Sequence, residues 1–307
     1  MIDFVKHRFW YFGLSLALIA VGAVFLILPP HLRVGIDFTS GTTFTVDFEG
    51  DPGSAALRNA LASSGYSDAQ IQGAGEGSYI VRTRDLGKTG IEPIQAEIAA
   101  KIGPQFRIPE VTSVGKTVAE DTVRNAIIAV VVAAGFVMAY IGWAFRSVPK
   151  AYRYAIAAVI AILHDVGFVL GLFAILGRLI GAEVNAIFVV GILTVIGFSV
   201  HDTIVVFDRI RENVRISPSR PFAQSVNLAI GETLMRSLGT SSTTLLVILA
   251  MLLIGGESLR DFLIVLFAGI AVGTYSSIFN AAQVLVAWEN GDFTRWLPRR
   301  RKAATAS

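Results

Sequence analysis

The chain of 307 residues contains no cysteine, and Asp, Glu, Lys and Arg together make up only 16% of it. Without cysteine there is no disulfide, no thiolate nucleophile and no zinc–thiolate centre, so any part outside a membrane must hold together by packing. Soluble domains carry about 25% charge. A chain with 53% hydrophobic residues and a mean hydropathy of +0.62 is therefore neither an ordinary soluble enzyme nor a disordered segment. Histidine is also scarce, with four in the chain and none between Leu32 and Val123, which takes the most common acid–base side chain out of that stretch.

What the sequence has instead is long apolar runs. A bilayer core is spanned by about 20 apolar residues in a helix. Phe9 to Leu28, Ala126 to Phe145, Ser237 to Gly255 and Phe262 to Trp288 are all free of Asp, Glu, Lys and Arg, while Tyr154 to Leu176 and Ala186 to Phe207 carry one carboxylate each, Asp165 and Asp202. These predict six spans. The first follows Lys6, His7 and Arg8 like a signal peptide, but its apolar run is too long for one and ends in Pro29-Pro30 without a small-residue cleavage site, so it reads as an uncleaved anchor.

Charge orients the spans. One set of connections, running from Lys6 and Arg8 through Arg146, Lys150 and Arg153, the 208–236 loop, and the tail with Arg295, Arg299, Arg300, Arg301 and Lys302, holds fifteen Lys or Arg against six Asp or Glu. The long segment 29–123 on the other side holds eight against twelve. The positive-inside rule places both termini in the cytoplasm and 29–123 outside. All four tryptophans, Trp10, Trp143, Trp288 and Trp296, fall near the expected cytoplasmic ends, where indole favours the headgroup layer. The formal net charge of +3 thus reflects topology and membrane-lipid affinity; no nucleic-acid partner is expected.

Within 29–123 the periodicity shortens. Thr43 to Phe48 alternates as a half-buried strand. Asp51-Pro52 opens a helix through Leu57 and Leu61, with Pro52 at its first position and Gly65 beyond its end. Strands over 69–72 and 78–84 flank the Gly73 to Gly77 turn, and a helix over 91–102 and a strand over 106–114 complete a β-α-β-β-α-β order. That order predicts a ferredoxin-like layer of helices on a sheet. The glycine run joins two strands rather than opening a helix, so it lacks the amide-rich helix start a phosphate loop needs. No set of acid, base and nucleophile is evident, and a binding or lever domain is expected rather than a catalytic one.

The chain therefore reads as an α-helical polytopic membrane protein of six transmembrane helices with one α+β ferredoxin-like extracytoplasmic domain between helices 1 and 2. The expected parts are 1–28, the N-terminus and first helix; 29–123, the outer domain; 124–288, helices 2–6 with the cytoplasmic loop 208–236; and 289–307, a basic cytoplasmic tail.

Ionisable residues inside spans are functional candidates, because a carboxylate at a helix centre costs roughly 2.5–3.5 kcal/mol on insertion scales. Asp165 follows His164 in the third span, and Asp202 follows His201 in the fourth. Asp202 lies on a stripe with Val195, Phe198, Val206 and Arg209, about 8 Å inside the end of its span at ~1.5 Å per residue. Arg236 starts the fifth span from the same side and is long enough to reach that depth, making a buried Asp202–Arg236 ion pair, broken by protonation, the leading expectation. His201, Thr203 and Ser199 stand close enough in sequence to relay protons. The alternatives are structural: Asp165 with His164 as a helix-packing contact, Arg236 as a residue obeying charge topology, and the hydroxyls Ser237, Thr240, Ser241, Ser242, Thr243 and Thr244 as small residues permitting close helix approach. Gly255, Gly256, Gly269 and Gly273 read as packing or bend sites, and Arg209 to Arg220 as an amphipathic helix on the membrane surface, broken at Pro218.

The segment from His201 through Asp208, Arg209, Arg211, Glu212 and Asn213 resembles the signature of the SecF family of protein-export membrane subunits, in the resistance–nodulation–division superfamily. Gly35-Ile36-Asp37-Phe38, Leu163-His164-Asp165, Arg236 ahead of Thr240-Ser241, and Gly273 to Ile278 fall in the family's order. The sequence departs from the family pattern at Ser40, where a second Gly is usual, at Lys116, where a Pro is usual, and over Asn280 to Gln283, which lack the usual Pro. The resemblance implies a non-enzymatic accessory role in the Sec pathway of a prokaryotic inner membrane. It implies a SecD partner supplying six more spans, association with the SecY, SecE and SecG translocon, and action on unfolded polypeptide. It further implies protons as the coupling ion, with no cofactor or metal, and a place for Asp202 and Arg236 on the proton path between the two subunits. The rival readings are a proton-driven small-molecule or lipid exporter of the same superfamily and an intramembrane aspartyl protease using Asp165 and Asp202, although neither aspartate has the Gly-x-Gly-Asp step of such enzymes.

Overall fold

The computed structural model describes residues 3–29, 31–75, 77–256 and 259–292. The expectations for Pro30, Glu76, Trp296 and the cations from Arg295 to Lys302 lie outside the described residues. The described chain forms two compact units: residues 32–129 with 176–189, and the remaining helical residues.

Among the described residues, six helical stretches are long and apolar enough to cross a membrane. These are α1 (Arg8–Ile27), α5 (Lys116–Ala144), α6 (Tyr152–Leu179), α7 (Ala186–Ile216), α8 (Phe222–Ile254), and a last stretch in which α9 (Arg260–Ser276) continues through a π-helical turn (Ser277–Ala281) into α10 (Ala282–Glu289). The 208–236 segment is almost entirely helix. Arg209 to Ile216 continue α7 instead of forming a separate surface helix, and Arg236 lies fifteen residues into α8, counted inclusively from Phe222, instead of at its start. A helix loses nothing by extending beyond the lipid when its backbone bonds remain satisfied, and only Ser217 to Pro221, which contains both prolines of the connection, interrupts it. The stretch that lacks the family's Pro continues as helix through one π turn.

Between α1 and α5 lie a single turn, α2 (Ile36–Thr39), and then β1 (Gly41–Phe48), α3 (Ser54–Ser63), β2 (Gln70–Gly75), β3 (Ser78–Thr83), α4 (Glu92–Lys101), β4 (Phe106–Arg107) and β5 (Val111–Val114). The strands lie in the order β2-β3-β1-β4, with β5 also on β1 and every neighbour antiparallel. Alternation along β1 turns Phe44 and Val46 into a core with Leu57, Leu61, Val81, Ile94 and Ile98, all buried. Gly75 and Gly77 take φ of +134° and +70° at the β2–β3 turn, conformations open to glycine. Two expectations are corrected. Pro52 precedes α3, which begins at Ser54 after Gly53 at φ +78°; Asp51 uses its carboxylate to accept the Gly53 N–H at 2.9 Å instead of capping a helix turn. The last strand is split, because Pro109 has no N–H to give and the pairing with β1 shifts by one residue between Asp47–Arg107 and Phe44–Val111.

The connection from α6 to α7 belongs to this same unit. Gly35 donates its N–H to Val184 O at 2.8 Å, Val34 bridges Val184 in parallel, and Arg82 pairs with Glu183 at 2.6 Å. Asp37 accepts the Ala186 N–H at 2.8 Å, and Asn185 accepts that of Phe188 at 2.8 Å, so two acceptors satisfy the start of α7. The Gly35 to Phe38 motif thus anchors the inter-helix connection, and a side chain on Gly35 would press on Asn185 Cβ at 3.3 Å. Ser40, where the family pattern has Gly, is held at φ +62°, ψ +162°.

Candidate functional site

Helix α7 packs along α9 in steps of four residues on both helices. A methyl on Gly191 would lie 2.8 Å from Val265, a methyl on Gly269 would overlap Val195, and one on Gly273 would lie 3.1 Å from Ser199 Cβ; one turn further, Thr203 and Ser277 hydroxyls meet at 2.8 Å. Small residues permit this approach, and without water inside a bilayer such packing and hydrogen bonds are what draws helices together. The same device joins α1 to α6, where a methyl on Gly22 would lie 2.8 Å from Gly171 Cα.

This seam carries the polar cluster. Asp165, fully buried on α6, accepts from His164 Nδ1 at 2.9 Å and from Ser199 Oγ at 2.5 Å. Ser277 donates to the Ser199 carbonyl at 2.9 Å and meets Thr203. Asp202, 6% exposed, accepts from Ser241 at 3.4 Å, and Ser241 meets Thr274 at 2.6 Å. His201 Nδ1 lies 3.8 Å from Asp202 Oδ1 on a ring whose other side is open, the side chain being 70% exposed. His164 Nε2 is buried without a partner among the described residues. The cluster thus consists of two carboxylates, each beside a histidine and hydroxyls, in a scaffold of apolar helices. Such groups can accept and release a proton and rearrange their hydrogen bonds as they do.

The expected Asp202–Arg236 ion pair is not formed. Arg236 is exposed, and no ion pair joins it to any described residue. The face of α8 that meets Asp202 carries Thr233, Ser237 and Ser241, all buried, and Arg236 is a neighbour of Ser237 turned about 100° away. Asp165 and Asp202 have separate hydrogen-bond partners, His164 and Ser199 for the first and Ser241 for the second. Thr274 and Ser277 are the partners that the sequence reading passed over, whereas Ser199, expected as a relay group beside Asp202, bonds Asp165 instead; their signal is hydroxyls spaced on the four-residue ladder.

The Asp208 to Asn213 motif is a junction rather than a site. Arg209 pairs with Glu212 and with Glu232 of α8 at 2.6 Å each, Asn213 donates to Glu232 at 2.9 Å, and Arg211 reaches Asp208 at 2.5 Å and the Ala144 carbonyl at 3.3 Å. It ties the extended ends of α7, α8 and α5 together. Among the described residues no group of three or more His, Asp or Glu could hold a metal ion.

Six spans with buried ionisable groups define a polytopic membrane protein with polar chemistry inside its helical core. Residues 94–291 match the family model for protein export membrane protein SecD/SecF, C-terminal. The chain is 42% identical to protein translocase subunit SecF of Thermobaculum terrenum, over 100% of both chains. It is 35% identical to protein translocase subunit SecDF of Thermus thermophilus, over 96% of this chain and 38% of that one. The crystal structure of SecDF from Thermus thermophilus, described as a translocon-associated membrane protein, superposes with a TM-score of 0.82 at 33% identity, covering 94% of this chain and 39% of that one. The chain belongs to the SecD/SecF family of protein-export membrane proteins.

Proposed function

We propose that this chain is the SecF-type accessory subunit of a Sec protein translocase, working in a prokaryotic cytoplasmic membrane with a SecD-type partner. Full-length identity of 42% to a translocase subunit SecF carries this reading. The partner is supported by the SecDF relatives, in which the matching region is 38–39% of one longer chain. Both termini lie in the cytoplasm, and the sheet with α3 and α4, ferredoxin-like in its strand order, lies outside and meets polypeptide or translocon. The spans use the proton motive force. Asp202 and Asp165 take up and release protons, with His201, His164 and Thr203 as relay groups. Arg236, exposed on α8, acts across the subunit boundary instead of within this chain. A carboxylate that changes charge in a packed bundle has two sets of hydrogen-bond demands, and the helices that satisfy each differ in packing; this converts proton movement into motion of the outer domain.

The test is Asp202→Asn expressed in cells as the sole copy, following export of a secreted protein with and without the proton gradient. Asn keeps the Ser241 contact and removes the titration, so gradient-dependent export is lost while the protein still assembles. Export unchanged in rate and in gradient dependence would refute the proton role.

A further inference from the structure

An open cavity of about 520 Å3 lies between the N-terminal residues and the start of α8, lined by Lys6, Arg8, Arg220, Gln224 and Asn227, with Asp3 as the acid among its lining residues. The wall is held in place. Asn227 Oδ1 accepts the Phe4 and Val5 N–H groups at 2.7 and 3.3 Å, Asp3 accepts that of Lys6 at 3.0 Å, and Arg8 is spanned between Asp292 at 3.0 Å and the Val5 carbonyl at 3.2 Å. Lys6 and Arg220 have no ion pair within 4 Å among the described residues. Ala223 and Gln224 lie in the first turn of the 33-residue α8, which no side chain caps, so the positive end of its backbone dipole faces the same space.

A second observation says what kind of anion fits. The Arg8 guanidinium lies 4.8 Å over the Phe9 ring, and Phe9 with Trp10, Gly13 and Leu14 lines an apolar groove of about 420 Å3 on α1. Phe9 and Trp10 are exposed, and Gly13 has open space where a side chain would stand. A cationic pocket and an apolar groove therefore share the Arg8–Phe9 wall at one end of a membrane span.

We propose that this pocket binds an anionic glycerophospholipid: the headgroup phosphate between Lys6 and Arg220, and an acyl chain along the Gly13 groove. Basic pockets between helices at the cytoplasmic side are suited to anionic headgroups, at roughly 1 kcal/mol per cation, a factor of about five each. The site rests on the orientation given under Proposed function, since anionic lipid on the cytoplasmic leaflet must meet Lys6 and Arg220.

The full chain, purified in mild detergent, is mixed with equimolar phosphatidylglycerol and phosphatidylcholine of the same acyl chains, and retained lipid is counted by native mass spectrometry. The wild type retains phosphatidylglycerol preferentially; Lys6→Gln with Arg220→Gln weakens it about 25-fold, from two factors of about five; and Lys101→Gln, on α4, leaves it unchanged. Inorganic phosphate in millimolar excess does not displace the lipid. Equal retention of the two lipids, undiminished binding by the double variant, or displacement by inorganic phosphate each overturns the proposal. Ser219→Cys and Asn59→Cys, single thiols in a cysteine-free chain, report orientation separately. Labelling of Ser219→Cys from outside the cell would sink the topology, whereas cytoplasmic labelling without lipid preference would sink the pocket alone.

Discussion

Replacing Gly273 with Ala tests the seam directly. The new methyl would stand 3.1 Å from Ser199 Cβ and 3.5 Å from both Ser199 Oγ and Asp165 Oδ2, whereas carbon atoms rest at about 3.5–4.0 Å. Either α9 withdraws by a few tenths of an ångström or Ser199 turns off Asp165. Overpacking costs about 1–3 kcal/mol, and the Ser199–Asp165 bond, if strained, adds about 0.5–1.5 kcal/mol for a neutral pair and more for a charged one. Against this, Ala is the better helix former by about 1 kcal/mol. Gly197→Ala on α7, where no atom lies within 4 Å of the added methyl, carries that helix gain without the clash. The purified chain should therefore unfold about 1–3 kcal/mol more easily as Gly273→Ala than as Gly197→Ala, read by reversible denaturation through tryptophan fluorescence. Removing the opposing side chain as well, in Ser199→Gly with Gly273→Ala, should restore part of the loss. Equal stability of the two single variants, or effects of Ser199→Gly and Gly273→Ala that add within about 0.5 kcal/mol, would mean the helices are not in contact there.

Two further outcomes concern the outer unit. Ser40→Gly should stabilise it by about 1 kcal/mol, since Ser at φ +62°, ψ +162° occupies a region costing about 1–3 kcal/mol, less the roughly 0.5–1 kcal/mol that Gly gives up in the unfolded chain; no gain in hydrogen-exchange protection of β1 would contradict this. The Asp51 carboxyl, bonded by the Tyr79 hydroxyl and the Gly53 N–H, is held below its usual range, and Tyr79 is held above its own by the same bond. The Asp51 contribution is full above the unfolded value of about 3.9 and is lost as pH falls through the lowered one; that of Tyr79 is full below about 10 and is lost as pH rises through the raised one. Protection of β3 should weaken at both extremes, and Tyr79→Phe should flatten both limbs; an unchanged pH profile in that variant would show the bond is not made.

The six spans, the order of the outer elements and the two buried aspartates were legible because apolar length, alternation and misplaced charge are local signals. Azimuth was not. Depth along the chain put Arg236 level with Asp202, but Ser237 and Ser241 occupy the facing stripe of α8 and a helix cannot turn Arg236 to the same side. A wheel drawn through Thr233, Ser237 and Ser241 would have said so. Likewise, Arg209 to Ile216 read as a surface helix because their charges suit water, yet charge does not end a helix; Pro218 does. The split of the last strand at Pro109 was visible in the residue but not in the alternation around it.

The four-residue ladder has a further property as a sliding joint. If α9 moved one turn toward its own N-terminus, Gly269 would meet Gly191, Gly273 would receive Val195, and Ser277 would meet Ser199, so α9 would present a small residue at each of these three rungs. The opposite slide would drive Val265 into Val195, where now Gly269 gives way. By side-chain size the four rungs from Gly191 to Thr203 therefore accommodate an axial step of about 5.4 Å in one direction and oppose it in the other, and the accommodated step carries Ser199 from Gly273, beside Asp165, to a serine.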